Sequence, residues 1–377
     1  MHEDQCIDLL LDQGINLAVS LPCDKAKDLF ALLPFSLETV ELLREEDGVG
    51  VCAGAYLAGR RPAMVIQSSG LGNMLNALLS LSRTYELPLP VIASWRGVYK
   101  ETIPAQVPFN AALPGILKAA DIPFVIVDNP SGFDRIREMI ETAYRSHTPA
   151  VALISPHCWE GTPVSEREEE ITDRSRKIDF VHERTIPSPT MTRLDAIRSI
   201  VPHLHDAAVV SNIGFPSKEL FWTEDRKENF YMLGSYTQAS PVGFGIALSS
   251  RRRTIIIDGD GSLLGTAILP VIAAKKPRNL TIACLDNGVF GSTGNQMTPA
   301  YRKVDLELYV RACGFEQTAK VTSAEEIGGA IASLEQGPSF IHVVIRPGNS
   351  DAPNIPLTPH EIRDRFMKTI RNDAIQD

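Results

Sequence analysis

The sequence lacks any hydrophobic run long enough to cross a membrane. No apolar stretch approaches the roughly 20 residues that a transmembrane helix needs, and the acidic start MHEDQ does not resemble a signal peptide. The six cysteines are scattered without a CxxC pair, which argues against both a zinc site and a disulfide framework. Helical repeats and low-complexity segments are missing as well. We therefore expect a cytoplasmic protein that has no membrane partner.

Positive charge is also scarce. The chain has 37 Lys and Arg residues against 46 Asp and Glu residues, which gives a formal net charge of −9. This balance argues against nucleic acid as a partner, but it leaves room for a local cationic pocket that binds a small anion. The 377 residues, 44% of them hydrophobic, are enough for two domains with separate cores.

The order of strand-like and helix-like segments predicts an α/β fold of two similar, doubly wound parallel-sheet domains. We place the first domain at residues 1–163 and the second at residues 190–377. The charge-rich segment 164–189 between them ends in two prolines and has the composition of a linker. In the first domain, one helix is predicted to be capped by Asp24. Its clearest strand patterns are Ala63–Gln67, Pro90–Ser94, Phe124–Val127 and Ala150–Ile154.

One βαβ unit is predicted in the middle of the second domain. Thr254–Ile257 and Leu280–Leu285 are short apolar runs with the character of buried strands. Ser262 is suited to cap a helix between them that ends near Lys276. The two strands of such a unit are parallel, so their carboxyl ends meet at the sheet edge where open α/β folds bind ligands.

Asp260 and Asn287 follow these two strands, 27 positions apart (287 − 260). Gly-Asp-Gly or Asp-Asn-Gly alone is more often a simple turn. A carboxylate and an amide oxygen at one sheet edge suit Mg²⁺, which takes few protein ligands together with phosphate oxygens. The backbone amides of Gly261 and Ser262, at a helix start, suit a phosphate. Both turns together therefore predict a site for Mg²⁺ and a phosphate.

This pattern resembles the thiamine diphosphate motif, in which an Asn follows Gly-Asp-Gly after nearly thirty residues. The resemblance implies that Asp260, the Asn287 side chain and the Val289 carbonyl hold Mg²⁺. It also implies that thiamine diphosphate is the cofactor. The residues that would contact its diphosphate are Gly259, Gly261, Ser262 and Leu263.

Three further stretches resemble one branch of these enzymes, the decarboxylases of 3-substituted pyruvates. They are QSSGLGN (67–73), ASWRGVYKE (93–101) and GSTGNQ (291–296). The branch includes sulfopyruvate enzymes built from two subunit types, and this chain resembles both types fused. By resemblance, the SGLGN segment lines the pyrimidine of the cofactor through Ser69, Gly70, Gly72 and Asn73.

The segment GSYT (234–237) resembles the Gly-Ser-Met-Gly sequence that holds the cofactor in a V shape. Gly234 and Ser235 match this sequence, whereas Tyr236 and Thr237 replace the usual Met-Gly. The resemblance implies that the backbone at Gly234 and Ser235 contacts the cofactor. A bulky residue at Tyr236 is able to serve as the wedge.

The acidic run REEDG (44–48) leads into a helix of small residues in the first domain. Acids at a helix start favour the macrodipole, and this alone explains such a run. In thiamine diphosphate enzymes, however, a Glu stands nine residues before a Gly on this helix, as Glu45 stands before Gly54 (54 − 45). The resemblance implies that Glu45 is the catalytic acid at the aminopyrimidine ring, and Glu46 is one position out of that register.

Three cations are candidates for binding the anionic group of a substrate. Arg96 and Lys100 follow a strand, and the fork of an Arg matches a sulfonate or a phosphonate. Lys25 is a weaker candidate at a helix start. The default for each of the three is a solvated surface charge.

The resemblance implies decarboxylation of a small anionic 2-oxo acid, with sulfopyruvate ahead of phosphonopyruvate. It also implies a homodimer or homotetramer with active sites between subunits. A non-catalytic thiamine diphosphate-binding protein is a second hypothesis, but binding alone does not require Glu45. A nicotinamide dehydrogenase is less favoured, because the Gly-rich loops lack the full dinucleotide fingerprint.

Overall fold

The computed structural model describes residues 2–160, 185–334 and 336–375, which form two six-stranded parallel sheets and one short hairpin. The predicted α/β class with two similar domains is therefore confirmed. Most of the segment 164–189 lies outside the described residues, so the domain boundaries stay predictions. Within the described residues, no helix is both long and apolar enough to span a bilayer.

The first sheet has the spatial order β2-β1-β3-β4-β6-β5. Its strands are β1 (Leu17–Ser20), β2 (Glu38–Glu41), β3 (Pro62–Gln67), β4 (Leu89–Ser94), β5 (Phe124–Val127) and β6 (Pro149–Ile154). The helices are α1 (His2–Asp12), α2 (Lys27–Ser36), α3 (Glu45–Leu57), α4 (Leu71–Ala77), α5 (Val107–Ala119) and α6 (Asp134–Ser146). Helices α1, α2 and α6 share one core with one face of the sheet, while α3, α4 and α5 cover the other face.

The second sheet and the hairpin follow in the chain. The strands are β7 (Ala208–Ser211), β8 (Asn229–Tyr231), β9 (Thr254–Gly259), β10 (Leu280–Asp286), β11 (Val289–Phe290), β12 (Gln296–Met297), β13 (Gln317–Val321) and β14 (Ser339–Val344). The sheet order is β13-β14-β10-β9-β7-β8, and β11 pairs with β12 in the hairpin. Read from the β8 end, this is the connection order of the first sheet. The two domains therefore have one topology.

Eight helices belong to the second half of the described chain. They are α7 (Arg193–Ile200), α8 (Phe215–Thr223), α9 (Ala239–Ser249), α10 (Asp260–Gly265), α11 (Ile268–Lys275), α12 (Leu306–Ala312), α13 (Ala324–Ser333) and α14 (Pro359–Ile370). Thr358 and Glu361 form a capping box at the start of α14.

Helices α3 and α9 join the two domains at a close crossing that depends on glycine. A Cβ atom on Gly54 would lie 2.0 Å from the Val242 carbonyl oxygen, and one on Gly245 would lie 2.1 Å from the Val51 carbonyl oxygen. The two helices therefore approach backbone to backbone. Both are buried on nearly every side, which explains why neither shows an amphipathic pattern.

Two helix predictions are wrong in detail. The helix expected from Ser262 to Lys276 is two helices, α10 and α11, and α10 begins at Asp260 without a cap from Ser262. The chain breaks at Thr266 because Pro270 cannot form the helix bond to the Thr266 carbonyl oxygen. The Asp47 carboxylate binds the Thr266 hydroxyl and the Ala267 amide at this break.

Asp24 does not cap a helix. Helix α2 begins at Lys27, three residues later, and has no side-chain cap. The Asp24 carboxylate instead accepts a hydrogen bond from the Arg96 guanidinium at 2.5 Å. Arg96, and not the amides of a helix, is thus the partner of the Asp24 carboxylate.

Candidate active site

A cavity of about 150 Å³ opens at the carboxyl ends of β9 and β10. These strands are parallel neighbours, with Gly259 beside Leu285, so the residues that follow them meet at one edge. The structure thus brings together most of the residues predicted to hold Mg²⁺ and the diphosphate. The predicted residues that line the cavity are Tyr236, Gly259, Asp260, Gly261, Ser262, Asn287 and Val289.

Asp260 places an uncompensated carboxylate in this cavity. It is 3% exposed, accepts a hydrogen bond from the Thr298 hydroxyl, and forms no ion pair within the described part of the chain. Burial and the nearby charge of Asp286 raise the pKa of Asp260 to about 7. A bound cation would relieve both effects, so the electrostatics of the site suit a metal ion.

The loop after β10 carries the other two predicted ligands. The Asn287 side-chain oxygen accepts a hydrogen bond from the Val289 amide at 3.1 Å, and this turns the loop back toward the cavity. Asp286 accepts from the Gly288 amide at 2.9 Å, and its other oxygen lies 2.7 Å from His342 Nε2. The loop is therefore held by a buried carboxylate next to Asn287.

No group of three His, Cys, Asp or Glu side chains in residues 2–160, 185–334 and 336–375 is arranged to hold a metal. The predicted ligand set is one carboxylate, one amide oxygen and one carbonyl, with positions left for phosphate oxygens and water. This donor set fits Mg²⁺ better than zinc.

At Gly261, near the start of α10, no side chain covers the backbone. A Cβ atom on Gly261 would lie 2.4 Å from the Phe290 ring, so α10 can pack against the β11–β12 hairpin only with glycine at this position. Leu263 is fully buried in the core, so only its backbone is available to a ligand.

Tyr236 covers α10 from the other side. Its hydroxyl donates a hydrogen bond to the Gly261 carbonyl oxygen at 2.6 Å. Its neighbours Ser235 and Thr237 both adopt left-handed backbone conformations, with φ of +67° and +71°. Such values are uncommon for residues other than glycine, so this turn is strained. Gly234 and Ser235 do not line the cavity, and Ser235 accepts a hydrogen bond from the Ser80 hydroxyl of the first domain at 3.0 Å.

Glu45 lies at the start of α3 against the predicted SGLGN segment. It is 8% exposed, and its Oε2 accepts a hydrogen bond from the Asn73 side chain at 3.0 Å. A Cβ atom on Gly70 would lie 2.3 Å from Glu45 Oε1, so the glycine makes room for the carboxylate. Glu46 is instead bound by Arg44 at 2.8 Å. The structure thus places Glu45, and not Glu46, with the predicted pyrimidine-binding residues.

Ser69 and Gly72 complete this segment. The Ser69 hydroxyl donates to Gln106 and accepts from Asn110 at 2.9 Å, so its side chain is used within the first domain. A Cβ atom on Gly72 would lie 3.1 Å from the Phe109 ring. Both contacts tie the start of α4 to α5 and its preceding turn.

The two halves of the predicted site are joined by Asp47. Its carboxylate accepts a hydrogen bond from the Thr266 hydroxyl at 2.7 Å and one from the Ala267 amide at 3.0 Å. Asp47 lies two residues after Glu45, and Thr266 follows α10, which begins at Asp260. The contact therefore connects the Glu45 helix to the Asp260 helix.

Arg96 is held by two carboxylates. Its guanidinium donates to Glu101 at 2.7 and 3.1 Å, and to Asp24 at 2.5 Å. The residue is 2% exposed, and its hydrogen bonds lower the pKa of Glu101 to about 2. Its charge is thus already matched, and a substrate anion would have to displace Asp24, the more exposed of the two partners.

Lys25 and Lys100 line a different cavity, of about 310 Å³, at the edge of the first sheet. The Lys100 side chain is 69% exposed and pairs with Glu160 at 2.8 Å. None of the residues that line the Asp260 cavity lines this one. The substrate role of Arg96, Lys100 and Lys25 therefore stays a prediction.

Sequence reasoning missed three residues at the site. Asn212 follows β7 and lines the Asp260 cavity, and the strand-end argument used for Asn287 would have found it. Arg193 lines the same cavity and forms two hydrogen bonds with Glu219, at 3.0 and 3.1 Å, but no sequence signal marks it. Asp47 belongs to the acidic run at the start of α3. It was missed because the helix macrodipole is enough to explain such a run.

Two family models match the chain. The model described as thiamine pyrophosphate enzyme, N-terminal TPP binding domain, matches residues 2–116. The model described as thiamine pyrophosphate enzyme, C-terminal TPP binding domain, matches residues 216–343. The first match contains Glu45 and the second contains Asp260 and Asn287.

Curated relatives cover the whole chain. Sulfopyruvate decarboxylase of Methanosarcina acetivorans is 44% identical over 98% of this chain and 97% of its own length. Phosphonopyruvate decarboxylase of Streptomyces hygroscopicus is 34% identical over 94% of this chain and 90% of its own. A sulfopyruvate decarboxylase subunit beta of Methanothermobacter thermautotrophicus covers 48% of the chain, and a subunit alpha of Methanococcus maripaludis covers 40%. The chain thus corresponds to both subunit types joined.

A solved structure has the same fold. Benzoylformate decarboxylase from Polynucleobacter necessarius matches with a TM-score of 0.67 and 11% identity, covering 93% of this chain and 99% of that one. At this identity the likeness concerns the fold alone.

Proposed function

This chain belongs to the thiamine pyrophosphate enzymes, in the decarboxylase group that contains the sulfopyruvate and phosphonopyruvate enzymes, and we propose that its substrate is 3-sulfopyruvate. The reaction would take up a proton and give sulfoacetaldehyde and CO₂. The observation that carries the proposal is the 44% identity to a sulfopyruvate decarboxylase over 98% of the chain, ten points above the phosphonopyruvate relative (44 − 34).

Mg²⁺ and the diphosphate of the cofactor would be held at the Asp260 cavity. Asp260 would supply a charged ligand, and Asn287 and the Val289 carbonyl would supply neutral ones. The amides of Gly261 and Ser262 would bind diphosphate oxygens. When bound, thiamine diphosphate supplies the electron sink that accepts the electron pair released as CO₂ leaves.

Glu45 would act at the other end of the cofactor. Asn73 already occupies its Oε2, which leaves Oε1, in the space that Gly70 keeps open, to hold a proton at a ring nitrogen. The partial burial of the carboxyl limits exchange of that proton with water. We expect Glu45 to increase the rate about 10²–10⁴-fold, the usual range for a general acid–base group.

The decisive experiment supplies the purified protein with thiamine diphosphate, Mg²⁺ and one acid at a time. We expect CO₂ and an aldehyde from sulfopyruvate with the highest kcat/KM, less from phosphonopyruvate, and far less from pyruvate. Equal activity on pyruvate would overturn the proposal. Applying the assay to Lys25→Ala and Lys100→Ala tests those residues, because loss of a charge-assisted contact should reduce the preference about ten- to a hundredfold.

Phosphonopyruvate is the second candidate substrate. The observation that favours it is the 34% identity to a phosphonopyruvate decarboxylase over 94% of the chain. A phosphonate carries up to two negative charges where a sulfonate carries one. A higher kcat/KM for phosphonopyruvate in the same assay would therefore replace the first proposal.

The metal assignment has a test of its own. Asp260→Ala and Asn287→Ala should each abolish Mg²⁺-dependent binding of thiamine diphosphate, because the diphosphate charge would lose its counter-ion. Titration calorimetry with and without Mg²⁺ measures this directly. Unchanged cofactor affinity in both variants would remove the metal from these residues, whatever the substrate is.

For the assembly, we propose a homodimer or homotetramer with active sites between subunits, as the family resemblance implies. In the structure, the two halves of the site meet within the single described chain through Asp47. The same contacts are available between two chains that exchange domains. Light scattering would give the number of chains in the assembly.

A further inference from the structure

Asp47 has surroundings that its place in the sequence does not explain. An acid in the first turn of a helix usually interacts with the amides of that helix. Both carboxylate oxygens of Asp47 are instead bound by the other domain, at 2.7 Å from the Thr266 hydroxyl and 3.0 Å from the Ala267 amide. The residue is 2% exposed, so these bonds are shielded from water.

The contact lies between the two ends of the predicted cofactor site. Glu45 is two residues away on α3, and α10 runs six residues from Asp260 to Gly265, or about 9 Å at the rise of an α-helix. A shift of Asp47 along α10 would therefore change the distance between Glu45 and Asp260.

We propose that Asp47 is a positioning residue that sets Glu45 relative to the diphosphate-binding end of the site. It does so by binding the two groups exposed at the break between α10 and α11. This inference rests on the proposed cofactor site. The role proposed for Asp47 is additional to that site, because Asp47 itself would touch neither the cofactor nor the substrate.

Asp47 is held in a place that disfavours charge. Burial raises the pKa of its carboxyl to about 6, so at pH 7 the folded protein keeps an ionised group there, where the Thr266 and Ala267 bonds stabilise it. A merely stabilising contact would change the free energy of unfolding but not the relative affinity for two ligands, so the test measures relative affinity.

The test compares two probes that need different parts of the site. Mg²⁺–pyrophosphate needs only the Asp260 end, whereas Mg²⁺–thiamine diphosphate spans both ends. By calorimetry, Asp47→Asn should weaken binding of thiamine diphosphate about tenfold or more, because Glu45 would no longer be held at a fixed distance from the diphosphate-binding end. It should leave pyrophosphate affinity within about twofold. Glu46→Gln is the matched control and should change neither affinity, because this neighbouring acid binds Arg44 of its own domain.

A second variant tests the path through Thr266. Thr266→Val removes the hydroxyl but keeps the shape of the side chain. Like Asp47→Asn, it should weaken binding of thiamine diphosphate more than binding of pyrophosphate. In the double variant, the loss of thiamine diphosphate affinity should not exceed the loss in Asp47→Asn alone. An unchanged ratio of the two affinities in Asp47→Asn, or losses that add fully, would overturn the inference. If the wild-type protein bound no thiamine diphosphate, the proposed function would fail instead.

Discussion

At the scale of single residues, Glu45 and Glu46 differ in what surrounds their carboxylates. Glu45 is buried against Gly70 and Asn73, whereas Glu46 is bound by Arg44 near the surface. A proton donor for a cofactor ring must be sheltered and must face the site. Only Glu45 meets both conditions.

Glu45→Gln should therefore keep the cofactor bound but lower kcat by about 10²–10⁴-fold. An amide keeps the size of the side chain and its bond to Asn73 but cannot exchange a proton with the ring. Steady-state kinetics and calorimetry on one preparation measure both effects. Glu46→Gln serves as the control and should retain nearly wild-type kcat. If the Glu45→Gln enzyme were fast and the Glu46→Gln enzyme inactive, the register would be wrong.

The sequence predicted the position of Arg96 but not its environment. An Arg after a strand end is correctly placed for an anionic ligand. Its partners, however, are Glu101, five residues on, and Asp24, 72 residues back. An ion pair of this kind depends on how two loops fold over one sheet edge. The local sequence pattern therefore does not predict the partners of Arg96.

At the scale of elements, the split between α10 and α11 was partly predictable. Pro270 lacks the amide that a continuous helix would bond to the Thr266 carbonyl oxygen, so a break near Thr266 has a local cause. The group that binds the break was not predictable, because Asp47 lies 219 residues away. In contrast, the capping box of α14 uses Thr358 and Glu361, three residues apart, and was predictable for that reason.

The crossing of α3 and α9 gives a prediction about stability. Gly54→Ala should destabilise the protein by about 1–3 kcal/mol, because the added methyl group would meet the Val242 carbonyl oxygen and the backbone cannot rotate away. Gly245→Ala should do the same at the reciprocal contact. Urea unfolding followed by circular dichroism measures the change in the free energy of unfolding.

Gly329 provides the control for this comparison. It lies within α13, and a Cβ atom there would meet nothing within 4 Å. Gly329→Ala should therefore stabilise the protein by about 0.5–1 kcal/mol through helix propensity. If all three alanine variants were stabilised alike, the close crossing would not exist in solution.

At the scale of the whole molecule, the two sheets were the most predictable feature. Short apolar runs alternating with helices leave few topologies open, since βαβ connections are right-handed. The packing of one domain on the other was not predictable, because it depends on the fit of Gly54 and Gly245 to backbone atoms rather than on a pattern along the chain.

The location of the active sites can be tested by mixing two inactive variants. One chain carries Glu45→Gln and the other Asp260→Asn, so each keeps one intact half of the site. If sites form between subunits of a dimer, random mixing should restore about a quarter of wild-type activity, because half of the dimers contain one intact site of two. We expect this recovery after the chains are unfolded together and refolded.

Refolding each variant alone gives the baseline for this experiment. A mixture that stays at that baseline would place each complete site within one chain, as the two halves stand in the described structure. Refolded wild-type protein shows how much activity the procedure itself preserves.

The shared topology of the two sheets has a consequence for stoichiometry. The paired contacts at the helix crossing are separated by a constant 191 positions (242 − 51 and 245 − 54), so the two helices meet symmetrically. The same shift relates Glu45 to Tyr236, and it brings Asp260 to the Ser68–Gly70 segment after β3. Two sheets of one topology offer two equivalent places for a cofactor, but among these positions only one pair has both an acid and a candidate metal ligand. We therefore expect each chain to bind one cofactor rather than two.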